Sequence, residues 1–398
     1  MQERRLSRPE FIAMMALLFA TVAFSIDAML PALPRIADEL TPDARNHAQY
    51  VITVFVASMG LGTLLAGPLS DALGRKRVIL GGAALYLVGA VMAGLGQSLE
   101  LMLLGRALQG LGAAGPRVVA LAVVRDLYSG RDMARIVSFV MMIFTLLPAI
   151  APLVGAGIIA LAGWRAIFGA FLLFSALSVG WYALCQPETL PRARRRPLHR
   201  EALLAAAREV FADPVARIAV LVQTLVFSVL FMMLTSIQQV FDIHFGRGDS
   251  FPLWFGFIAV LAGSASFTNA MLVGHLGMRF LIHKTLFGQM ILSVIMAAVF
   301  WTGVLPAGME FGVFILWAIT LFGMLGLTIG NLNALAMEPL GHIAGMAASI
   351  IGALATVMSA LLAAPVGQAF DGTPRPLATG VVLAVTGAVL LMRRMPER

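Results

Sequence analysis

Charged residues are scarce in this sequence. Asp, Glu, Lys and Arg make up 12% of its 398 residues, whereas hydrophobic residues make up 60%. The mean hydropathy of +0.92 is higher than a soluble core of this length could hide from water. The composition therefore excludes an ordinary soluble domain and indicates a membrane protein.

Side chains that hold metals or nucleotides are also few. The single cysteine, Cys185, excludes a disulfide framework and a cysteine metal cluster. The six histidines are scattered near the ends of apolar runs, whereas a membrane-embedded enzyme would need His, Asp or Glu clustered at one depth. The sequence contains no Gly-x-x-x-x-Gly-Lys-Ser/Thr phosphate-binding loop. We therefore expect no enzymatic activity, no metal and no cofactor.

Long apolar runs repeat along the whole chain at the length that a bilayer-spanning helix requires, about 20 residues. They predict twelve transmembrane helices, over residues 10–30, 48–69, 78–96, 100–124, 135–160, 165–184, 214–238, 251–273, 284–304, 311–333, 343–364 and 376–392. The first run lacks a small-residue cleavage site after it, so we interpret it as a retained helix rather than a signal peptide.

The basic residues alternate between segments in a way that predicts topology. If the N-terminus is cytoplasmic, most of the 28 Lys and Arg residues fall in the termini and loops on the cytoplasmic side of the membrane. The positive-inside rule then places both termini in the cytoplasm. The net charge of +8 is explained by this bias, and we expect no nucleic-acid partner.

One hydrophilic stretch divides the chain. It predicts a six-helix bundle over 1–185, a cytoplasmic linker over 186–213 and a second six-helix bundle over 214–398. Within the linker, EALLAAAREVFA has the pattern of a short amphipathic helix on the membrane surface.

Three charges fall well inside the predicted spans, where an ionisable group costs about 2.5–3.5 kcal/mol and usually has a function. Arg106 and Arg117 are eleven residues apart, about three helical turns, and therefore share a face with Gln109 and Ala113. Asp27 is the acid that we expect to pair with Arg106. Such a pair serves either as a proton switch or as a static link between the first and fourth helices.

The stretch GPLSDALGRKR, residues 67–77, resembles the signature loop of the major facilitator superfamily. Its glycines allow close helix approach and a backbone turn. A weaker copy, GHLGMRFLIHK, occurs at 274–284 with His275 in place of the acid. The resemblance implies an all-α polytopic membrane protein with twelve helices in two pseudo-symmetric six-helix bundles. It also implies a cytoplasmic gate loop formed by Gly67, Asp71, Gly74, Arg75, Arg77, Arg125 and Asp126.

Three further stretches resemble the bacterial drug:proton antiporters of this superfamily, in particular the bicyclomycin and chloramphenicol resistance branch. RALQGLGAA resembles the fourth-helix motif, whose arginine is associated with proton coupling, here Arg106. DAMLPALPRI resembles the first-helix pattern, with Met29 where the branch usually has tyrosine. The fifth span resembles the antiporter helix, carried by Pro148, Pro152 and Gly155, although Ala151 replaces its first glycine.

The resemblance implies export of small amphipathic drugs such as phenicols in exchange for protons, by alternating access. Asp27 and Arg106 are then the proton-coupling residues. The expected substrate cavity comprises Arg117, Gln109, Ala113, Met29, Asn331 and Asn333, although interhelical hydrogen bonds explain the two asparagines equally well. An alternative function is that of a dedicated exporter of an anionic or zwitterionic metabolite, such as an amino acid, peptide or siderophore, because Arg117 would favour an anionic ligand. We expect a monomer in the bacterial inner membrane, with protons, a small-molecule substrate and the lipid bilayer as its partners.

Overall fold

Helices form almost all of the computed structural model, which describes residues 6–195 and 200–396. Two of the helices are short, α2 (Leu33–Leu40) and α8 (Arg200–Ala212). The other α-helices of the described chain are twelve long ones: α1 (Arg8–Asp27), α3 (Tyr50–Leu73), α4 (Arg75–Leu95), α5 (Leu99–Leu127), α6 (Gly130–Ala162), α7 (Ala166–Cys185), α9 (Pro214–Gln239), α10 (Phe251–Leu276), α11 (Met278–Thr302), α12 (Ala307–Met337), α13 (Ala344–Gln368) and α14 (Arg375–Arg393).

The long helices match the twelve predicted spans. By length and composition, eleven uninterrupted helical tracts in the described chain are apolar enough to cross a membrane. The tract Gly308–Gln368 has 61 residues and contains both α12 and α13. A straight helix of that length would measure roughly 90 Å, about three times the hydrocarbon core. The turn at Glu338–Ile343, where Leu340 leaves helical geometry, divides it into two spans.

The chain folds as two compact units. The first contains Met1–Ala32 and Val54–Leu203. Its closest helix pair is α4 with α5, where glycine lets the backbones touch: a β-carbon at Gly105 would lie 2.7 Å from the carbonyl oxygen of Gly89. Small residues at such crossings are how membrane helices gain packing contacts without a hydrophobic driving force.

The second unit contains Leu33–Thr53 and Leu204–Arg398. Helix α9 packs against α12, α13 and α14, so it lies at the centre of this unit. The segment with α2 and the turn Arg45–Gln49 belongs here, because the turn packs on α13. Asn46 fixes this contact by donating hydrogen bonds to the carbonyl oxygens of Gln368, at 2.9 Å, and Phe370, at 2.8 Å.

In each half of the chain, one glycine forms a sharp connection between two consecutive helices. Gly74 joins α3 to α4 with φ 103° and ψ 155°, and Gly277 joins α10 to α11 with φ 80° and ψ 152°. These positive φ angles favour glycine over every other residue. The weaker loop copy predicted at 274–284 therefore repeats the geometry of the first loop.

The stretch predicted as a short amphipathic helix in the linker is helical, as α8, and its position on the membrane surface stays a prediction. Ala206 and Val210 are buried, whereas Leu204 and Phe211 are exposed. Oε1 of Glu209 on this helix lies 2.6 Å from Nε2 of His342 in the turn between α12 and α13.

Candidate functional site

Arg106 is completely buried in the first unit, on α5. Its guanidinium donates to the side-chain oxygen of Gln109, at 3.1 Å, and to the backbone oxygen of Ser25, at 3.1 Å. Its central carbon also lies 4.2 Å from the centre of the Phe55 ring, a cation–π distance. The partners in these three contacts are neutral groups.

Asp27 is the last residue of α1 and is 5% exposed. Within residues 6–195 and 200–396, its carboxylate makes neither an ion pair nor a hydrogen bond, so the predicted pair with Arg106 is not formed in this conformation and stays a prediction for the transport cycle. The reason lies in helix geometry. Arg106 binds the backbone oxygen of Ser25, and the Ser25 side chain faces Tyr86; the Asp27 side chain, two residues further, points about 200° away from that of Ser25 around the helix.

A hydroxyl pair extends the Arg106 contacts. The hydroxyls of Ser25 and Tyr86 are 2.6 Å apart, and Ser25 also donates to the carbonyl oxygen of Thr21. Both side chains are buried. Sequence reasoning missed Ser25, Tyr86 and Phe55, since neither hydroxyls nor aromatics stand out in an apolar run.

Helix α6, which carries the predicted antiporter motif, packs directly behind Asp27. It continues without a break from Gly130 to Ala162, with Pro148 and Pro152 inside it. A β-carbon at Gly155 would overlap the backbone oxygen of Ala28. Glycine therefore allows the two backbones to touch next to the buried acid.

Met29 and Ala113, both predicted to line a cavity, are buried in this conformation, with exposures of 0% and 2%. Gln109 is buried too and serves Arg106 as an acceptor. Their role in a substrate cavity stays a prediction.

Arg117 lies on the same face of α5 as Arg106, as the spacing predicted. Both arginines contact α3: Arg106 stacks on Phe55, and Nη1 of Arg117 lies 3.6 Å from the sulfur of Met59. Arg117 is half-buried. In the described part of the chain it has no acidic partner.

Asn331 and Asn333 take part in interhelical hydrogen bonds of the second unit. Asn331 on α12 donates to Asn269 on α10, at 2.7 Å. Asn333 accepts from Gln223 on α9, at 3.1 Å, and is exposed. The packing explanation for both residues is thus supported by direct contacts.

The gate loop is built around Arg75, which is 8% exposed. Its Nη1 contacts Asp71 Oδ1 at 2.5 Å, and its Nε contacts Asp126 Oδ2 at 3.0 Å. The same Nη1 donates to Ser70, at 2.7 Å. A single guanidinium therefore joins the end of α3, the start of α4 and the end of α5.

Glu188, which follows α7, completes this arrangement. Its carboxylate accepts from the backbone N–H groups of Arg75, at 2.8 Å, and Lys76, at 3.2 Å. An anion at a helix N-terminus is favoured by unpaired N–H groups and by the helix dipole. Lys76 in turn donates to the carbonyl oxygens of Ala183 and Gln186 at the C-terminal end of α7.

Three further predicted residues of the gate loop contribute differently. Arg77 and Arg125 are exposed. The carbonyl oxygen of Gly67 accepts a hydrogen bond from Ser70, at 2.8 Å. No sequence signal marked Glu188 as part of this loop, because it lies more than a hundred residues away along the chain.

Comparison with known proteins decides the family. The model described as Major Facilitator Superfamily matches residues 15–364. The chain belongs to the major facilitator superfamily. A superfamily relative, a bicyclomycin resistance protein homolog of Haemophilus influenzae, is 27% identical over 92% of this chain and 91% of its own length.

Two other proteins are similar to this chain, one in sequence and one in fold. A chloramphenicol resistance protein of Pseudomonas aeruginosa is 37% identical, over 40% of this chain and 38% of that protein. The crystal structure of a D-xylose-proton symporter shares the fold, with a TM-score of 0.75, 17% identity and coverage of 97% and 98% of the two chains. The chain is thus a multi-pass membrane transporter with the major facilitator fold.

Proposed function

We propose that this superfamily member exports small amphipathic drugs, phenicols among them, in exchange for protons. Two kinds of observation support the drug class: the helix motifs of the resistance branch, and the names of relatives known as chloramphenicol and bicyclomycin resistance proteins. The sugar symporter supports the fold only, because its identity is 17%.

The buried carboxyl of Asp27 carries the proton part of the proposal. An unpaired charge in such surroundings is costly, so a carboxyl there exchanges its proton when its surroundings change. Asp27 sits where α1 and α6 touch, two residues after the carbonyl that holds Arg106. A shift of either neighbour would therefore change the environment of the acid.

Arg106 is proposed to act on Asp27 through α1. It donates to the backbone oxygen of Ser25 on α1 and to Gln109 on its own helix, and both acceptors are neutral. Movement of α1 against α5 would bring the carboxylate and the cation together or separate them. Proton uptake would then alternate with ion pairing during the transport cycle of alternating access.

The Arg75 network is proposed as the cytoplasmic latch of that cycle. Its three helix ends are joined by short charged contacts that can break and reform as a set. We propose a monomer in the bacterial inner membrane with both termini in the cytoplasm, as the positive-inside distribution indicates.

One observation favours a second candidate. Arg117 has no acidic partner in the described chain and is only half-buried. An intramembrane cation of this kind suits a substrate that carries a carboxylate or carbonyl. A dedicated exporter of anionic or zwitterionic metabolites is therefore the alternative substrate class.

The experiment is accumulation of radiolabelled chloramphenicol in an efflux-deficient bacterial host, with and without a protonophore. The variants are the wild type, Asp27→Asn and, as the matched control, Asp249→Asn at an exposed acid. Immunoblots of membranes establish equal amounts of protein. We expect the wild type and the control to lower accumulation, and both the protonophore and Asp27→Asn to abolish this effect.

Two results would contradict the proposal. Unchanged accumulation of the drug with the wild type present in the membrane would remove drug export and make amino acids, peptides and siderophores the next panel. Protonophore-sensitive export by Asp27→Asn at the wild-type rate would remove Asp27 from proton coupling.

A further inference from the structure

A small cavity lies at the C-terminal end of α9 in the second unit. Its volume is about 10 Å³, close to the smallest that holds one water molecule. Five polar residues line it: Arg45 and Gln49 from the turn after α2, Gln238 and Gln239 from the end of α9, and Asp242 beyond it.

The three glutamines present acceptors that nothing in the described chain satisfies. Their exposures are 2% for Gln49, 4% for Gln238 and 6% for Gln239. The side-chain oxygen of each is buried and accepts no hydrogen bond from residues 6–195 or 200–396. Buried carbonyl oxygens without a partner are rare in native proteins, because each loses its hydration without compensation.

The backbone at this place is specialised. After Gln239 the helix widens into a π-turn at Val240–His244, closed by a bond from the N–H of Phe245 to the carbonyl oxygen of Val240, at 3.1 Å. Such turns occur frequently at functional sites. Here the widened turn lets Asp242 face the same cavity as two consecutive glutamines.

A single water does not match this set of groups. One water molecule donates two hydrogens, whereas three glutamines with unsatisfied side-chain oxygens and one carboxylate-bearing residue line the cavity. A bare cation donates no fixed number of hydrogens, so every oxygen that reaches it can be a ligand. Carboxamide and carboxylate oxygens are ligands that hard cations prefer.

The surrounding charge favours a cation as well. Asp242 is half-buried and has no ion-pair partner in the described chain. Arg45 also lines the cavity, but its guanidinium is ion-paired with Asp38. Among the lining residues, Arg45 is thus paired with an acid outside the cavity, whereas Asp242 has no such pair in the described chain.

We propose that Gln49, Gln238, Gln239 and Asp242 form a site for one small monovalent metal cation, of the size of sodium. The site would hold the turn after α2 against the end of α9. It goes beyond drug export and stands or falls independently of it, because none of its residues belongs to the proposed proton-coupling group.

The test is thermal unfolding of the purified full chain in detergent, followed by tryptophan fluorescence. Sodium chloride is titrated against choline chloride at constant ionic strength, with potassium as a second comparison. We expect a saturable rise of roughly 2 °C once sodium exceeds its dissociation constant about tenfold. Potassium is expected to give a smaller rise, since the cavity fits a smaller ion.

The variants are Gln238→Leu and Asp242→Asn, with Gln223→Leu as the matched control. Gln223 lies on the same helix and also has an unsatisfied buried oxygen, but it is outside the cavity. We expect the sodium effect to disappear in the first two variants and to remain in the control. In choline, Gln238→Leu should unfold at or above the wild-type temperature, because its removed oxygen had no partner.

Three results would overturn the proposal. The wild type could show no rise in sodium over choline, which would mean that water suffices. The rise could persist in both Gln238→Leu and Asp242→Asn, which would place any bound sodium elsewhere. A rise of equal size in sodium, potassium and choline would be an ionic-strength effect and not a site.

Discussion

The contact between Gly155 and Ala28 allows a sharp test, because the same helix offers a control two residues away. Gly155→Ala would place a β-carbon against the backbone oxygen of Ala28. At Gly157 nothing lies within 4 Å of a β-carbon, so Gly157→Ala meets open space. Both changes replace glycine in the interior of α6.

The expected free energies have opposite sign. Alanine in place of glycine inside a helix stabilises by roughly 0.5–1 kcal/mol, and Gly157→Ala should show this gain. Gly155→Ala makes the same gain but must push apart two backbones, and overpacking of this kind costs about 1–3 kcal/mol. The net result is a protein that is less stable than Gly157→Ala by about 1–3 kcal/mol.

Function should follow the same order, because Ala28 is the neighbour of Asp27. A displaced α1 moves the buried acid relative to Arg106, and we expect Gly155→Ala to export less drug per molecule than either Gly157→Ala or the wild type. Thermal unfolding in detergent and drug accumulation in cells measure the two effects. Equal stability and equal export for the two variants would refute the claim that this glycine is required by backbone contact.

Other contacts give further predictions. Arg106→Lys keeps the charge but loses the pair of hydrogen bonds that the forked guanidinium makes. We expect the free energy of unfolding to fall by about 1.5–3 kcal/mol and drug export to decrease. Unchanged thermal unfolding would contradict the importance of that geometry. Asn46→Ala removes three side-chain hydrogen bonds and should increase hydrogen–deuterium exchange at residues 45–49; unaltered exchange would show that the turn is held otherwise. Arg75→Lys cannot contact Asp71 and Asp126 together, and we expect slower export at unchanged membrane abundance; a wild-type rate would exclude the latch.

Hydropathy predicted the helices well because a bilayer imposes a fixed apolar length on each span. The observed helix ends differ from the ends of the predicted spans where polar residues continue a helix into the membrane interface. Helix α6 begins at Gly130, before the apolar run at 135, and α11 begins at Met278, before 284. Arg131, Asp132 and Arg279 are compatible with helix but interrupt the hydropathy signal on which the prediction depended.

The contacts of the charged groups were less predictable. Sequence gives the depth of Asp27 and Arg106 but not the rotation of α1, which turns Ser25 instead of the acid toward the arginine. Likewise, no local pattern shows that the turn at Arg45–Gln49 packs on α13 or that Glu188 reaches the start of α4. These contacts join residues far apart in the chain, and a single sequence carries no record of them.

The most direct test of the central claim is a proton-flux measurement on purified protein in liposomes that contain a pH-sensitive dye. Addition of chloramphenicol to vesicles without a pH gradient should move protons in the direction opposite to the drug. Drug-dependent proton movement by the wild type, absent in Asp27→Asn and present in Asp249→Asn, is the result that the account predicts. Drug uptake by the wild type without any proton movement, or equal movement by Asp27→Asn, would contradict it.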